Sequence, residues 1–140
     1  MIDRGRTTGV LVDSNVLLDV IVSDAVWSAW SSRAIADVSS RSVLLVNPIV
    51  YAEVSIGFER PEEVDAALSV AGLQREALPW EAAFIAGKAF REYRRRGGDR
   101  RSPLPDFYIG AHAEVRGYTL LTRDAARYRT YFPAVTLVTP

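Results

Sequence analysis

The sequence predicts an α/β fold of three layers, with helices on both faces of a mainly parallel, twisted sheet. Short β-type apolar runs alternate with segments of helical period along the chain. Most of these runs are followed at once by residues that favour a helix start. Acids also recur where the runs end, and in a parallel sheet those ends share one edge.

Gly9-Val10-Leu11-Val12-Asp13 reads as a buried strand ending in an acid, and Ser14 and Asn15 offer cap chemistry for a helix through Val16, Leu17 and Leu18. A longer helix is expected from Ala25 to Arg41, with Trp27, Trp30, Ala34 and Val38 at helical spacing. The second strand is Val43 to Val46. Asn47-Pro48 then caps a helix that carries Glu53, with proline at its first position. Pro61 opens another helix closed by Gly72, and Leu73 to Leu78 reads as a weak edge strand. The clearest helix runs from Trp80 to Arg96 and stops at Gly97-Gly98. After a polar loop, a helix from Pro105 or Asp106 to Arg116 ends at Gly117 and feeds a strand from Tyr118 to Leu121. Thr122-Arg123-Asp124, a short helical turn and a last strand over Val135 to Val138 complete the chain.

Composition narrows the chemistry. The chain has 140 residues, 49% hydrophobic and 24% charged, as expected of one domain spanning 1–140. With no cysteine and the single histidine His112, thiol nucleophiles, disulfides and multi-histidine metal sites are excluded. A metal would need oxygen ligands, which favours a hard cation such as Mg2+ or Mn2+. The start, Met1-Ile2-Asp3-Arg4, is polar and no apolar run approaches about 18 residues, so a cytoplasmic protein without membrane contact is expected. Net charge is zero, yet six arginines lie between Arg91 and Arg101 against only Glu92 and Asp99, a local balance of +4.

Among 17 acids, position is what informs. Asp13 ends the first strand, Asp124 follows the strand ending at Leu121, and Glu53 rides the helix after the second strand. Asp106 opens the helix leading into that Tyr118–Leu121 strand, so its first turn also belongs to the carboxyl edge. Each acid alone reads as well as a helix cap or a surface residue. Four at one edge repel: two carboxylates about 4 Å apart cost roughly 4 kcal/mol at an effective dielectric of 20. A divalent cation relieves that repulsion and can drive phosphodiester hydrolysis.

These residues resemble the PIN domain, and in particular the VapC toxins of VapBC toxin–antitoxin modules. The resemblance rests on Leu11-Val12-Asp13-Ser14-Asn15-Val16-Leu17, Asn47-Pro48-Ile49-Val50-Tyr51-Ala52-Glu53, Leu104-Pro105-Asp106-Phe107-Tyr108-Ile109-Gly110-Ala111-His112-Ala113 and Tyr118-Thr119-Leu120-Leu121-Thr122-Arg123-Asp124, then Tyr131-Phe132-Pro133. It implies a PIN-like fold, Mg2+- or Mn2+-dependent endoribonuclease activity that inhibits translation, a homodimer and a VapB-like antitoxin partner. By motif, Asp13, Glu53, Asp106 and Asp124 carry over as metal-binding and catalytic acids, with Asn15 and Thr122 supporting them. The implied products are a 5′-phosphate and a 3′-hydroxyl.

Arg91, Arg94 and Arg95 share a helical stripe, which Arg96, Arg100 and Arg101 extend into the loop before Asp106. We read Arg95, Arg96, Arg100 and Arg101 as binding RNA phosphates rather than forming a merely solvated face. His112 is expected to be a packed residue, and Trp27 and Trp30 to face the core rather than an antitoxin groove. Three other readings compete. A signalling receiver domain wants a lysine at the acidic edge, whereas Lys88 sits mid-helix; a structure-specific DNA nuclease needs helices this chain has no room for; a PIN-fold module that binds RNA or protein without cutting it is the main alternative.

Overall fold

The computed structural model describes residues 9–101 and 103–140. The polar start over residues 1–8 lies outside the described residues. The elements are β1 (Gly9–Val12), α1 (Ser14–Ile21), α2 (Ser28–Ser39), β2 (Val43–Val46), α3 (Pro48–Ser55), α4 (Pro61–Val70), β3 (Leu73–Arg75), α5 (Trp80–Arg95), α6 (Pro105–Arg116), β4 (Thr119–Leu121), α7 (Ala126–Tyr131) and β5 (Leu137–Val138).

The five strands form one sheet in the order β3-β2-β1-β4-β5, and every described pairing is parallel. β1 is central, with Leu11 opposite Leu45 on one side and Leu120 on the other. A strand flanked on both sides and covered on both faces has no polar face to show, hence its unbroken apolar run. From β1 the chain first moves outward through β2 to β3, then returns to the far side of β1 for β4 and β5. Right-handed crossovers in opposite directions set helices on both faces, and the order reverses between β1 and β4. Ligand crevices form at such a reversal, outside the carboxyl ends of the strands.

Three elements differ in extent from expectation. α2 begins at Ser28, three residues late, because Asp24 Oδ2 accepts from the Val26 and Trp27 amides at 3.0 and 2.7 Å and holds those residues in a turn. The last strand shrinks to Leu137–Val138, with Val135 turned into the core after its amide bonds the Phe132 carbonyl. The edge strand forms on β2 as expected but stops at Arg75, three residues short of Leu78. Trp30 packs against the core as expected, but Trp27 does not: it is half-buried, meets Trp30 edge-on at 6.4 Å and carries the Arg123 guanidinium 5.3 Å above its ring.

The core under the β1–β4 reversal is aromatic. Phe107 is fully buried and touches Phe90, Tyr93, Tyr131 and Phe132, with ring centroids 5.4 to 6.5 Å apart. This cluster docks the first turn of α6 against α5 and α7. Gly110 is required there, because a Cβ would lie 2.4 Å from the Phe132 ring. Among the described residues no helix is long and apolar enough to cross a membrane.

Candidate active site

Asp13 lies immediately after the central strand, its amide bonded to the Leu121 carbonyl of β4 at 2.9 Å, so the chain delivers it into the reversal crevice. It caps α1, Oδ1 accepting from the Ser14 amide at 2.7 Å. Only 3% of the residue is exposed. Burial pushes its carboxyl above the ordinary aspartate range; hydrogen bonds from Tyr128, Thr122 and Ser14 oppose the shift, and the Glu53 charge adds to it.

Three residues tie the other acids to this one. Ser14 donates its hydroxyl to Glu53 Oε1 at 2.8 Å while its amide holds Asp13, joining β1–α1 to α3. The Tyr128 hydroxyl, on α7, lies 2.8 Å from Asp13 Oδ2 and 3.4 Å from Asp106 Oδ1, joining Asp13 to the first turn of α6. Thr122 donates to Asp13 Oδ2 at 2.9 Å and accepts from the Asp124 amide at 3.2 Å, fixing the loop after β4. Asn15 completes the frame, with Nδ2 3.4 Å from both Asp13 Oδ2 and Thr122 Oγ1 and Oδ1 accepting from the Arg123 amide. The four acids thus gather at one sheet edge from four separate parts of the chain.

Their electrostatics fit a cation. Burial, then the neighbouring Asp13 charge, raises the Asp106 carboxyl; burial, opposed by the Ser14 bond, raises Glu53, with Asp106 contributing. Tyr128 is pushed well above the ordinary phenol range, first by burial and then by Asp13 and Asp106, and so stays a donor. All side-chain ligands on offer are oxygens, the donor set of a hard divalent ion. Among the described residues no three acids or imidazoles are already drawn into a metal cage. The acids stand apart on their hydrogen-bonded supports, and Arg127 offsets part of the charge 3.4 Å from Asp106.

A polar network positions α3. Asn47 caps that helix through Oδ1, which accepts from the Val50 amide at 3.0 Å. Its Nδ2 therefore faces His112 Nδ1 at 3.0 Å and must donate, leaving the ring proton on Nε2, which meets Glu76 at 2.7 Å. Tyr118 also donates to Glu76, at 2.6 Å. His112 is fully buried, as expected of a packed residue, and burial outweighs Glu76 to hold its pKa below the ordinary value.

A PIN domain profile matches residues 10–133. The chain belongs to the PIN domain family. Searching curated proteins by sequence gives no match. Solved structures similar to this PIN domain include VapBC2 from Rickettsia felis bound to a promoter DNA fragment, at 17% identity and a TM-score of 0.73 over 95% of this chain and 99% of that one. Another is DNA-bound VapBC from Salmonella typhimurium, at 20% identity and 0.68 over 95% and 98%. A third is a toxin–antitoxin complex from Klebsiella pneumoniae, at 20% identity and 0.66 over 94% and 97%. At these identities the likeness is one of fold.

The arginines divide. Arg96 is bound to Glu92 at 3.0 Å and lies 5.4 Å from the Tyr131 ring centroid; Arg95 is exposed beside the same glutamate at 3.9 Å. Arg100 and Arg101 are exposed in the following loop, and Arg94 bonds the Arg100 carbonyl at 2.8 Å. A groove of about 360 Å³ is lined by Asp106, Asp124, Tyr93, Arg127, Thr130 and Tyr131, the last of which carries Arg96 over its ring. Sequence reasoning missed Arg127, Tyr128 and the part played by Ser14. It also missed Asp19, whose buried carboxylate grips Arg123 at 2.8 and 3.0 Å and pins the Thr122–Asp124 loop to α1.

Proposed function

We propose that this PIN domain is a divalent-metal-dependent endoribonuclease, the toxin of a type II toxin–antitoxin module, working in the cytoplasm as a homodimer and silenced by a VapB-like antitoxin. The observation that carries this reading is the meeting of Asp13, Glu53, Asp106 and Asp124 at the β1–β4 reversal, linked through Ser14, Tyr128 and Thr122. The fold likeness to VapBC chains over nearly their whole length supports the toxin assignment. We take residues 1–140 as one domain.

In this reading the four acids hold Mg2+ or Mn2+. When bound, such an ion offsets charge on the phosphoryl oxygens and lowers the pKa of a water. Tyr128, Thr122 and Asn15 keep Asp13 aimed into the crevice, and Ser14 keeps Glu53 beside it. Arg127 offers a guanidinium to a phosphate next to Asp106, while Tyr93 and Tyr131 give the adjoining groove an aromatic wall suited to a base. Arg95, Arg96, Arg100 and Arg101 continue the positive path away from the acids.

Purified protein incubated with total RNA should cleave it in magnesium and leave it intact in chelator. RNA bound but uncut in magnesium would instead favour the non-catalytic module. The double variant Arg100→Gln with Arg101→Gln should weaken RNA binding and flatten its salt dependence. On a single strand the log–log slope should drop by about 0.7 for each phosphate the variant no longer neutralises. An unchanged slope removes these arginines from the path.

A further inference from the structure

The two oxygens of Asp13 are unequally occupied. Oδ2 accepts from the Tyr128 hydroxyl at 2.8 Å, the Thr122 hydroxyl at 2.9 Å and, more distantly, Asn15 Nδ2 at 3.4 Å. A carboxylate oxygen has about two lone-pair sites, and the two hydroxyls fill them. Among the described residues Oδ1 accepts only from the Ser14 amide, which leaves one of its lone pairs without a protein donor. The nearer of the two hydroxyls belongs to Tyr128, which is 1% exposed and whose ring is part of the core, so the donor is held rigidly.

We propose that Tyr128 is a positioning residue that sets which cation the acids accept, by occupying Asp13 Oδ2 and restricting Asp13 to one-oxygen ligation through Oδ1. This rests on the metal-dependent reading above. A small ion demanding near-ideal octahedral geometry takes single oxygens, whereas calcium is larger, accepts six to eight ligands and readily takes both oxygens of a carboxylate. Tyr128 therefore biases the acids toward magnesium and manganese and against calcium. Its hydroxyl also lies 3.4 Å from Asp106 Oδ1, so both acids border the same phenol oxygen.

Calorimetric titration of MgCl2, MnCl2 and CaCl2 into wild type and Tyr128→Phe tests this directly. Magnesium affinity should fall by about 10–100-fold, the usual cost of removing a partner that orients a metal ligand. Calcium affinity should fall much less or rise, so the magnesium-to-calcium preference drops by roughly tenfold or more. Thr122→Val removes the other strong donor to the same oxygen and should shift the preference the same way, which keeps the test open if Tyr128→Phe folds poorly. With magnesium at saturation, Tyr128→Phe should recover most of its RNA cleavage with KM for RNA unchanged. Wild-type metal binding with a preference unchanged in both variants overturns the role of Tyr128 and leaves the nuclease reading standing. No metal binding by the wild type overturns both.

Discussion

Asp13→Asn is expected to lower RNA cleavage by about 10³-fold or more while moving Tm by only a few degrees. Asp13 alone among the acids touches all three bridging residues, so in the proposed reading its charge is central to cation binding. Such an ion contributes several kcal/mol of transition-state stabilisation, and losing about 4 kcal/mol at 1.36 kcal/mol per tenfold gives that factor. Stability should change little because two effects oppose. The amide oxygen can still accept from Tyr128 and Thr122, but the amide nitrogen then faces the Ser14 N–H and the α1 cap is lost, costing roughly 1 kcal/mol. Against this, the wild-type carboxylate is a buried charge whose pKa is raised, so its stabilising contribution is present below the ordinary aspartate value and is lost as pH rises through the folded one. Removing the charge is therefore favourable at neutral pH. Gel assays and thermal melts measure both quantities, and a variant that still cleaves within tenfold of wild type contradicts the assignment.

Asn47→Ala is expected to destabilise the fold by about 2–4 kcal/mol: roughly 1 for the lost α3 cap and about 1–3 for leaving His112 Nδ1 buried without its donor. For a domain near this size that is a Tm fall of roughly 5–12 °C. Cleavage should fall as well, because α3 carries Glu53. The variant Asn47→Asp separates the two losses. Its carboxylate still caps Val50 but accepts from His112 instead of donating to it, so the imidazole is then flanked by two acids and protonation is favoured. In wild type His112 has a lowered pKa, and its contribution is present above the ordinary value of 6.5 and lost as pH falls through the folded value. In Asn47→Asp the second carboxylate is expected to raise the folded pKa above the ordinary value, so that contribution would be present below the ordinary value and lost as pH rises through the folded one. Urea unfolding near pH 5 and pH 8 should show the variant closing its stability gap at the acid end. A gap independent of pH would contradict the tautomer assigned to His112.

The sheet was legible because β1 and β2 are short, uniformly apolar and bounded by residues with one local meaning, as in Asn47-Pro48. The acids were legible for a related reason: at a strand's carboxyl end, an acid's place in the fold follows from its place in the chain. Asp24 was less transparent, since its side chain caps the 25–27 turn and delays α2. Trp27 was misplaced as a consequence, its position set by Arg123 from 96 residues away rather than by helical period. Tyr128 and Arg127 could not be read as site residues, because a tyrosine between two arginines gives no sign of where its hydroxyl goes until the docking of α7 aims it at Asp13. The short spacing from Asp124 to Tyr128 was the one available hint.

Asp13, Glu53, Asp106 and Asp124 are proposed to take a divalent cation together, which calorimetric titration of MnCl2 into wild type, Asp106→Asn, Asp124→Asn and Glu92→Gln would reveal. Saturable binding is expected in wild type and in Glu92→Gln, an acid on the arginine-bearing α5 outside the crevice, and should be lost or weakened at least tenfold in the other two. Equal binding by all four proteins, or none by the wild type, would contradict a shared cation site at these acids.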